Sequence, residues 1–138
     1  MLGVVAAAKH LGLRRIALAN KWSEPMNRTL EEFFARGGVE IAGVASEVLT
    51  PAQFQKISTA DNMALAYELG RAALTRFPDA DGLYIGGGAW LSEPVCQALE
   101  REFGKPAISN QSCLIWDNLT RLNHWRPLPG QGMLLSSP

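Results

Sequence analysis

Cysteine, histidine and net charge are all scarce in this chain of 138 residues. The two cysteines, Cys96 and Cys113, form no Cys-x-x-Cys pair, so neither a disulfide framework nor a zinc pattern is present. The two histidines, His10 and His124, lie far apart with no second ligand at metal spacing, so no metal site is expected. Lys plus Arg and Asp plus Glu both number 13, giving a formal charge of zero. That balance offers no global basic field to recruit nucleic acid or an anionic membrane surface. No apolar run is long enough to span a bilayer. Met1–Ala8 is apolar, but it lacks a basic start and is interrupted by Lys9 and His10. The expected location is a reducing cytoplasm.

What remains is an ordinary globular composition, 47% apolar and 19% charged. A chain of this size buries roughly 68–70% of its unfolded surface, enough for one domain with a core. Met1–Leu11 reads as a helix stopped by Gly12, and Arg15–Asn20 as a short buried strand. Ser23-Glu24-Pro25 carries the signature of a helix start, with Ser as the cap, and the helix ends at Gly37-Gly38. Val39–Val44 is a second strand. Thr50-Pro51 caps a short helix to Ile57, and Asp61–Arg76 is a longer amphipathic one. Gly82–Ile85 is a third strand running into Gly86-Gly87-Gly88. Ser92-Glu93-Pro94 opens a helix to Phe103-Gly104, Pro106–Ser109 is a fourth strand, and Asn110–Leu122 is a last helix. Residues 1–122 thus form one α/β domain, and 123–138 are read as an irregular tail rich in Pro, Gly and Ser.

Strands alternating with helices imply a three-layer α/β/α arrangement around a four-stranded parallel, flavodoxin-like sheet. Ligands of such sheets sit beyond the carboxyl ends of the strands. The loops falling there are Asn20–Glu24, Glu47–Thr50, Gly86–Leu91 and Ser109–Ser112. Trp22-Ser23-Glu24-Pro25 and Trp90-Leu91-Ser92-Glu93-Pro94 echo each other. Shared capping chemistry accounts for the echo, and an internal repeat is the other reading.

Several segments resemble one known family. Leu11-Gly12-Leu13-Arg14-Arg15-Ile16-Ala17-Leu18 resembles the opening of the second half of arylmalonate decarboxylases, and the spacing onward to Asn27, Leu30 and Phe33 is similar. Pro78-Asp79-Ala80-Asp81-Gly82-Leu83 resembles the run into that family's catalytic strand. Glu100 through Gly104-Lys105-Pro106, then Ser109-Asn110-Gln111, match the following helix, strand and loop, and Trp116-Asp117 fits the last helix. Together they cover nearly the whole chain. It is therefore similar to the C-terminal half of an Asp/Glu racemase superfamily protein of the arylmalonate decarboxylase and maleate isomerase group.

The resemblance implies one half of a two-domain racemase-like fold and a cofactor-independent isomerase, racemase or decarboxylase. Two similar halves would enclose a small carboxylate, each contributing a cysteine as acid, base or nucleophile. This chain departs in three ways. The N-terminal half is missing, spacing puts Gly87 where the second cysteine is expected, and Trp22 replaces a common tyrosine. A positioned general acid or base contributes roughly 10²–10⁴-fold, and glycine supplies none.

Against that background each candidate residue has two readings. Gly86, Gly87 and Gly88 either present N–H groups to a carboxylate or only make a tight turn. Ser109, Asn110, Gln111 and Ser112 either bond a ligand or serve helix capping by Asn110 or Ser112. Trp22 and Trp90 either wall a pocket or fill the core. Cys113, in the first turn of the last helix, is either a displaced nucleophile whose thiolate the helix dipole favours or a buried apolar residue. Cys96 is read as packing, and Arg126 either reaches a carboxylate or is solvated. Three functions are then open. The first is an enzyme completed by a partner half-domain or a homodimer. The second is a non-catalytic carboxylate-binding or interaction module. The third is a truncated gene product.

Overall fold

The computed structural model describes all residues, Met1–Pro138. Four strands form one parallel sheet: β1 (Arg15–Asn20), β2 (Glu40–Ser46), β3 (Gly82–Ile85) and β4 (Ala107–Ser109), in the order β2-β1-β3-β4. The register aligns Ile16 with Gly82 and Ala19 with Ile85, and Ile85 with Ser109. The helices are α1 (Leu2–His10), α2 (Glu24–Arg36), α3 (Pro51–Lys56), α4 (Thr59–Arg76), α5 (Glu93–Phe103), α6 (Asn110–Arg121) and α7 (Gly132–Ser136). No helix is long and apolar enough to cross a membrane.

Strand alternation sorts the core into two layers. Ile16, Leu18, Tyr84 and Ile108 point to the face covered by α1, α2 and α6, with Val4, Leu30, Phe34 and Trp116. Ala17, Ala19, Leu83 and Ile85 point to the other face, with Ala66 and Ala73 of α4 and Val95 and Leu99 of α5. The alternation of large residues and alanine along Ile16-Ala17-Leu18-Ala19 therefore places small side chains under α4. Gly43 extends this close approach, because a Cβ there would lie 2.1 Å from the Phe77 ring. The three-layer fold follows from these two apolar faces.

Helix starts depart from expectation in detail. Thr50 makes a full capping box with Gln53, but Ser23 and Ser92 make no side-chain cap bond. The Ser92 hydroxyl instead donates to Gln111 Oε1 at 3.1 Å. Helix α4 begins at Thr59, two residues before the expected Asp61, because Ser58 accepts from the Asp61 N–H. Ser109 is the N-cap of α6, its side chain accepting the Ser112 N–H, and the expected capping by Ser112 completes the box by accepting the Ser109 N–H at 3.0 Å; Asn110 takes no part in it.

The C-terminal stretch 123–138 is irregular only up to Gln131. Gly132–Ser136 forms α7, and Leu134 and Leu135 are buried against the α1/α6 layer. Glu100 of α5 anchors this return, accepting the Met133 N–H at 2.9 and 3.1 Å and the Ala107 N–H of edge strand β4 at 3.0 Å. Two apolar residues after a glycine-rich turn, Leu134-Leu135, supply the surface that docks.

Candidate functional site

At the carboxyl edge of the sheet the strands end at Asn20, Ser46, Ile85 and Ser109. Two hollows open there and share Gly88. The smaller, about 380 Å³, has Trp22, Lys21, Phe54 and Trp90 around Gly86–Gly88. The larger, about 690 Å³, lies between α1 and α6 and takes in Met1–Val4, Asn110, Gln111 and Asp117. The expected residues are thus divided: Trp22, Gly86, Gly87, Gly88 and Trp90 meet in the smaller cleft, and Gly88, Asn110 and Gln111 border the larger. Ser109 lines neither.

The loop after β1 is held by its backbone. Buried Asn20 accepts the Trp22 N–H at 2.9 Å and donates to Asn27 Oδ1 at 2.7 Å. Asn27 in turn donates to the Trp22 carbonyl at 3.3 Å. Both main-chain polar groups of Trp22 are satisfied from two buried amides, which fixes the loop that carries its half-buried ring against Gly86. A Cβ at Gly86 would lie 2.9 Å from Trp22 Cζ3. The turn after β3 continues this wall. The Gly86 N–H is taken by Ala19 O at 2.8 Å, so the expected three-amide cradle has two N–H groups left, those of Gly87 and Gly88. Gly87 has φ +128, a region that L side chains rarely adopt. The space beside it belongs to Trp90, whose Nε1 would be 3.7 Å from a Cβ at Gly87.

Trp90 is 2% exposed and carries both of the readings weighed for it, packing in the α4/α5 layer while lining the cleft. Its indole N–H is buried without an acceptor. Trp116 and Trp125 share that property, but only Trp90 lies in the cleft.

Lys21 was not singled out from the sequence. Its Nζ lies 4.3 Å from the Trp90 ring centroid and 4.2 Å from that of Phe54, and donates to Asn62 Oδ1 at 2.8 Å. No carboxylate pairs with it. Burial among these neutral groups lowers its pKa to about 8. The available signal was a lysine at the first position after a buried strand at the ligand edge, where an apolar strand end delivers its cation into a cleft rather than into solvent.

The polar cluster after β4 works mostly within the fold. Ser109 is buried, bonding Ser112 and donating to Glu93 Oε2 at 3.3 Å. Gln111 braces the β3–α5 turn, donating to Gly88 O at 3.0 Å and Trp90 O at 2.5 Å. Asn110 accepts the Tyr84 hydroxyl, and its Nδ2 would be 3.8 Å from a Cβ at Gly88.

Cys113 is fully buried, and burial pushes its pKa to about 12, so the thiolate expected from the helix dipole does not form. The dipole is worth about 0.3–1 kcal/mol, less than one pKa unit, and desolvation outweighs it. Cys96 is likewise buried, with its pKa raised well above the ordinary thiol value. Arg126 and His124 are exposed on the segment before α7. No cluster of three His, Cys, Asp or Glu residues is placed to hold a metal ion.

A family model described as arylmalonate decarboxylase matches residues 1–135. The chain is 29% identical over 115 residues to an arylmalonate decarboxylase of Bordetella bronchiseptica, covering 83% of this chain and 46% of that protein. It thus spans about half the length of the curated relative. A solved structure of unliganded arylmalonate decarboxylase superposes with a TM-score of 0.84 at 26% identity, covering 99% of this chain and 57% of that one. A mutant maleate cis-trans isomerase of Nocardia farcinica, with a covalently bound succinylcysteine intermediate, gives 0.76 at 25% identity, covering 97% and 53%.

Proposed function

The chain belongs to the arylmalonate decarboxylase family, and on that premise we propose that it binds a small carboxylate in the cleft of Trp22, Gly86–Gly88 and Trp90 without performing thiol chemistry on it. The observation that carries this reading is the floor of the cleft. Position 87 is a glycine, flanked by two free main-chain N–H groups and an unpartnered indole N–H, and both cysteines of the chain are buried thiols. Such a set of donors binds negative charge. The glycine floor holds no thiol to take a proton from carbon or to add to a double bond.

The covalent succinylcysteine of the Nocardia relative makes the contrast concrete. Carbon–sulfur bond formation at this position requires an atom that Gly87 lacks. Turnover therefore depends on groups from outside the chain, supplied by a partner half-domain or a second copy facing the sheet edge. The carboxylate-binding step belongs to this chain alone.

Proton NMR in heavy water tests the reading, with phenylmalonate, maleate, aspartate and glutamate each mixed with the purified chain. Broadened ligand lines with neither product nor deuterium at the α-carbon are expected. Product or deuterium, absent from a mock purification, would show that acid–base chemistry is present in this half. Sharp lines for every ligand would remove the binding site itself.

A further inference from the structure

We propose that Lys21 is the charged anchor of this cleft, the side chain that pairs with the carboxylate of its ligand. The inference rests on the carboxylate-binding reading above and adds which side chain recognises the charge.

The ammonium sits between the Phe54 and Trp90 rings, 4.2 and 4.3 Å from their centroids, with Asn62 Oδ1 at 2.8 Å. The groups facing it from α3, α4 and the β3–α5 turn are all uncharged. A lysine in that setting keeps donors available and has no anion to satisfy them. Burial lowers its pKa to about 8, with no opposing charge among the causes, so at neutral pH it is still chiefly protonated. Aromatic faces hold a cation in place without neutralising it. A carboxylate arriving here therefore gains a charge-assisted bond in a partly desolvated site.

Lys21 is the one charged residue in the lining of the cleft. Around the ammonium its lining is apolar: Trp22, Leu49, Pro51, Phe54 and Trp90. A volume of about 380 Å³ is at the small end of ligand pockets. Loss of one charge-assisted hydrogen bond weakens binding by about 10–100-fold, which sets the scale of the test.

The experiment compares phenylacetate with phenylacetamide, which has the same flat group and no charge, on the wild-type chain and on Lys21→Met and Lys21→Arg. Methionine keeps an apolar stem over the rings, and a two-dimensional amide NMR spectrum verifies each fold. Wild type should prefer phenylacetate by about 10–100-fold. Lys21→Met should abolish the preference by losing only phenylacetate affinity, and Lys21→Arg should restore part of it. Independently of any variant, the Lys21 Cε resonance should titrate at higher pH in saturating phenylacetate than in the free chain. If Lys21→Met keeps the wild-type preference for phenylacetate and the titration does not move, the Lys21 assignment falls while the binding reading stands; if the wild type shows no preference, both fall. If neither ligand binds the wild type, both fall together.

Discussion

Glu100 and Met133 join the two ends of the last third of the chain: both carboxylate oxygens of Glu100 accept the Met133 N–H. The same carboxylate takes the Ala107 N–H of the edge strand. Removing it strands two donors at once. Glu100→Ala should lower stability by about 1–3 kcal/mol, the cost of leaving a buried donor unpaired. It should also expose residues 123–138 to protease, readable by mass spectrometry of the digest.

The pH dependence of this joint has a definite sign. Burial raises the Glu100 pKa above its ordinary value, and burial likewise raises that of Glu93. In the window between the unfolded and folded values the native state holds more protons than the unfolded chain. Stability from these groups is therefore full below the unfolded pKa of 4.5 and declines as pH rises through the folded values. Glu100→Gln, which cannot ionise, should flatten that decline in urea denaturation measured across pH.

Lys21 acts with the opposite slope. Its pKa falls from 10.5 in the unfolded chain to about 8 in the fold, so between those values the unfolded state binds more protons. Wild-type stability should rise with pH across that window relative to Lys21→Met. Solvent still reaches the side chain, so the gain is held to about 1 kcal/mol. Denaturation midpoints of the two proteins at successive pH values check it.

Both cysteines should resist alkylation. At pH 8 the folded chain should take up no iodoacetamide at Cys96 or Cys113, whereas the unfolded chain should take up two equivalents. Rapid labelling of Cys113 in the native protein, seen by intact mass, would return it to the candidate nucleophiles. Cys113→Ser should leave carboxylate binding unchanged.

Gly87→Cys places a thiol in the cleft at a cost. Contact with Trp90 is ordinary, 3.6 Å from Cδ1, but φ +128 is strained for any residue with a Cβ. Destabilisation of about 1–3 kcal/mol is expected by thermal unfolding. The variant should gain one cysteine that reacts with iodoacetamide under native conditions, unlike the two already present.

The sheet was readable because strand and helix periodicities are local. Ile16-Ala17-Leu18-Ala19 and Gly82-Leu83-Tyr84-Ile85 announce buried strands, and Thr50-Pro51 announces a helix. What local pattern could not convey was which partner a polar side chain would choose. Ser92 has the spacing of a cap yet bonds Gln111 on another element. Glu100, an ordinary helix residue by sequence, binds a segment 33 positions away. Lys21 escaped notice for the same reason: its character comes from Phe54, Asn62 and Trp90, three residues remote in sequence. The aromatic wall was legible because tryptophan in a strand-to-helix loop is conspicuous by itself.

The amide clamp on Trp22 separates a fixture from its fitting. Asn20 and Asn27 grip only the main chain of residue 22, so the loop keeps its course whatever ring projects from it. Position 22 then behaves as a socket: exchanging its tryptophan for tyrosine or phenylalanine should leave Lys21 and the glycine turn in place. A lineage holding those two asparagines can retune what the cleft accepts one ring at a time, and a laboratory can do the same.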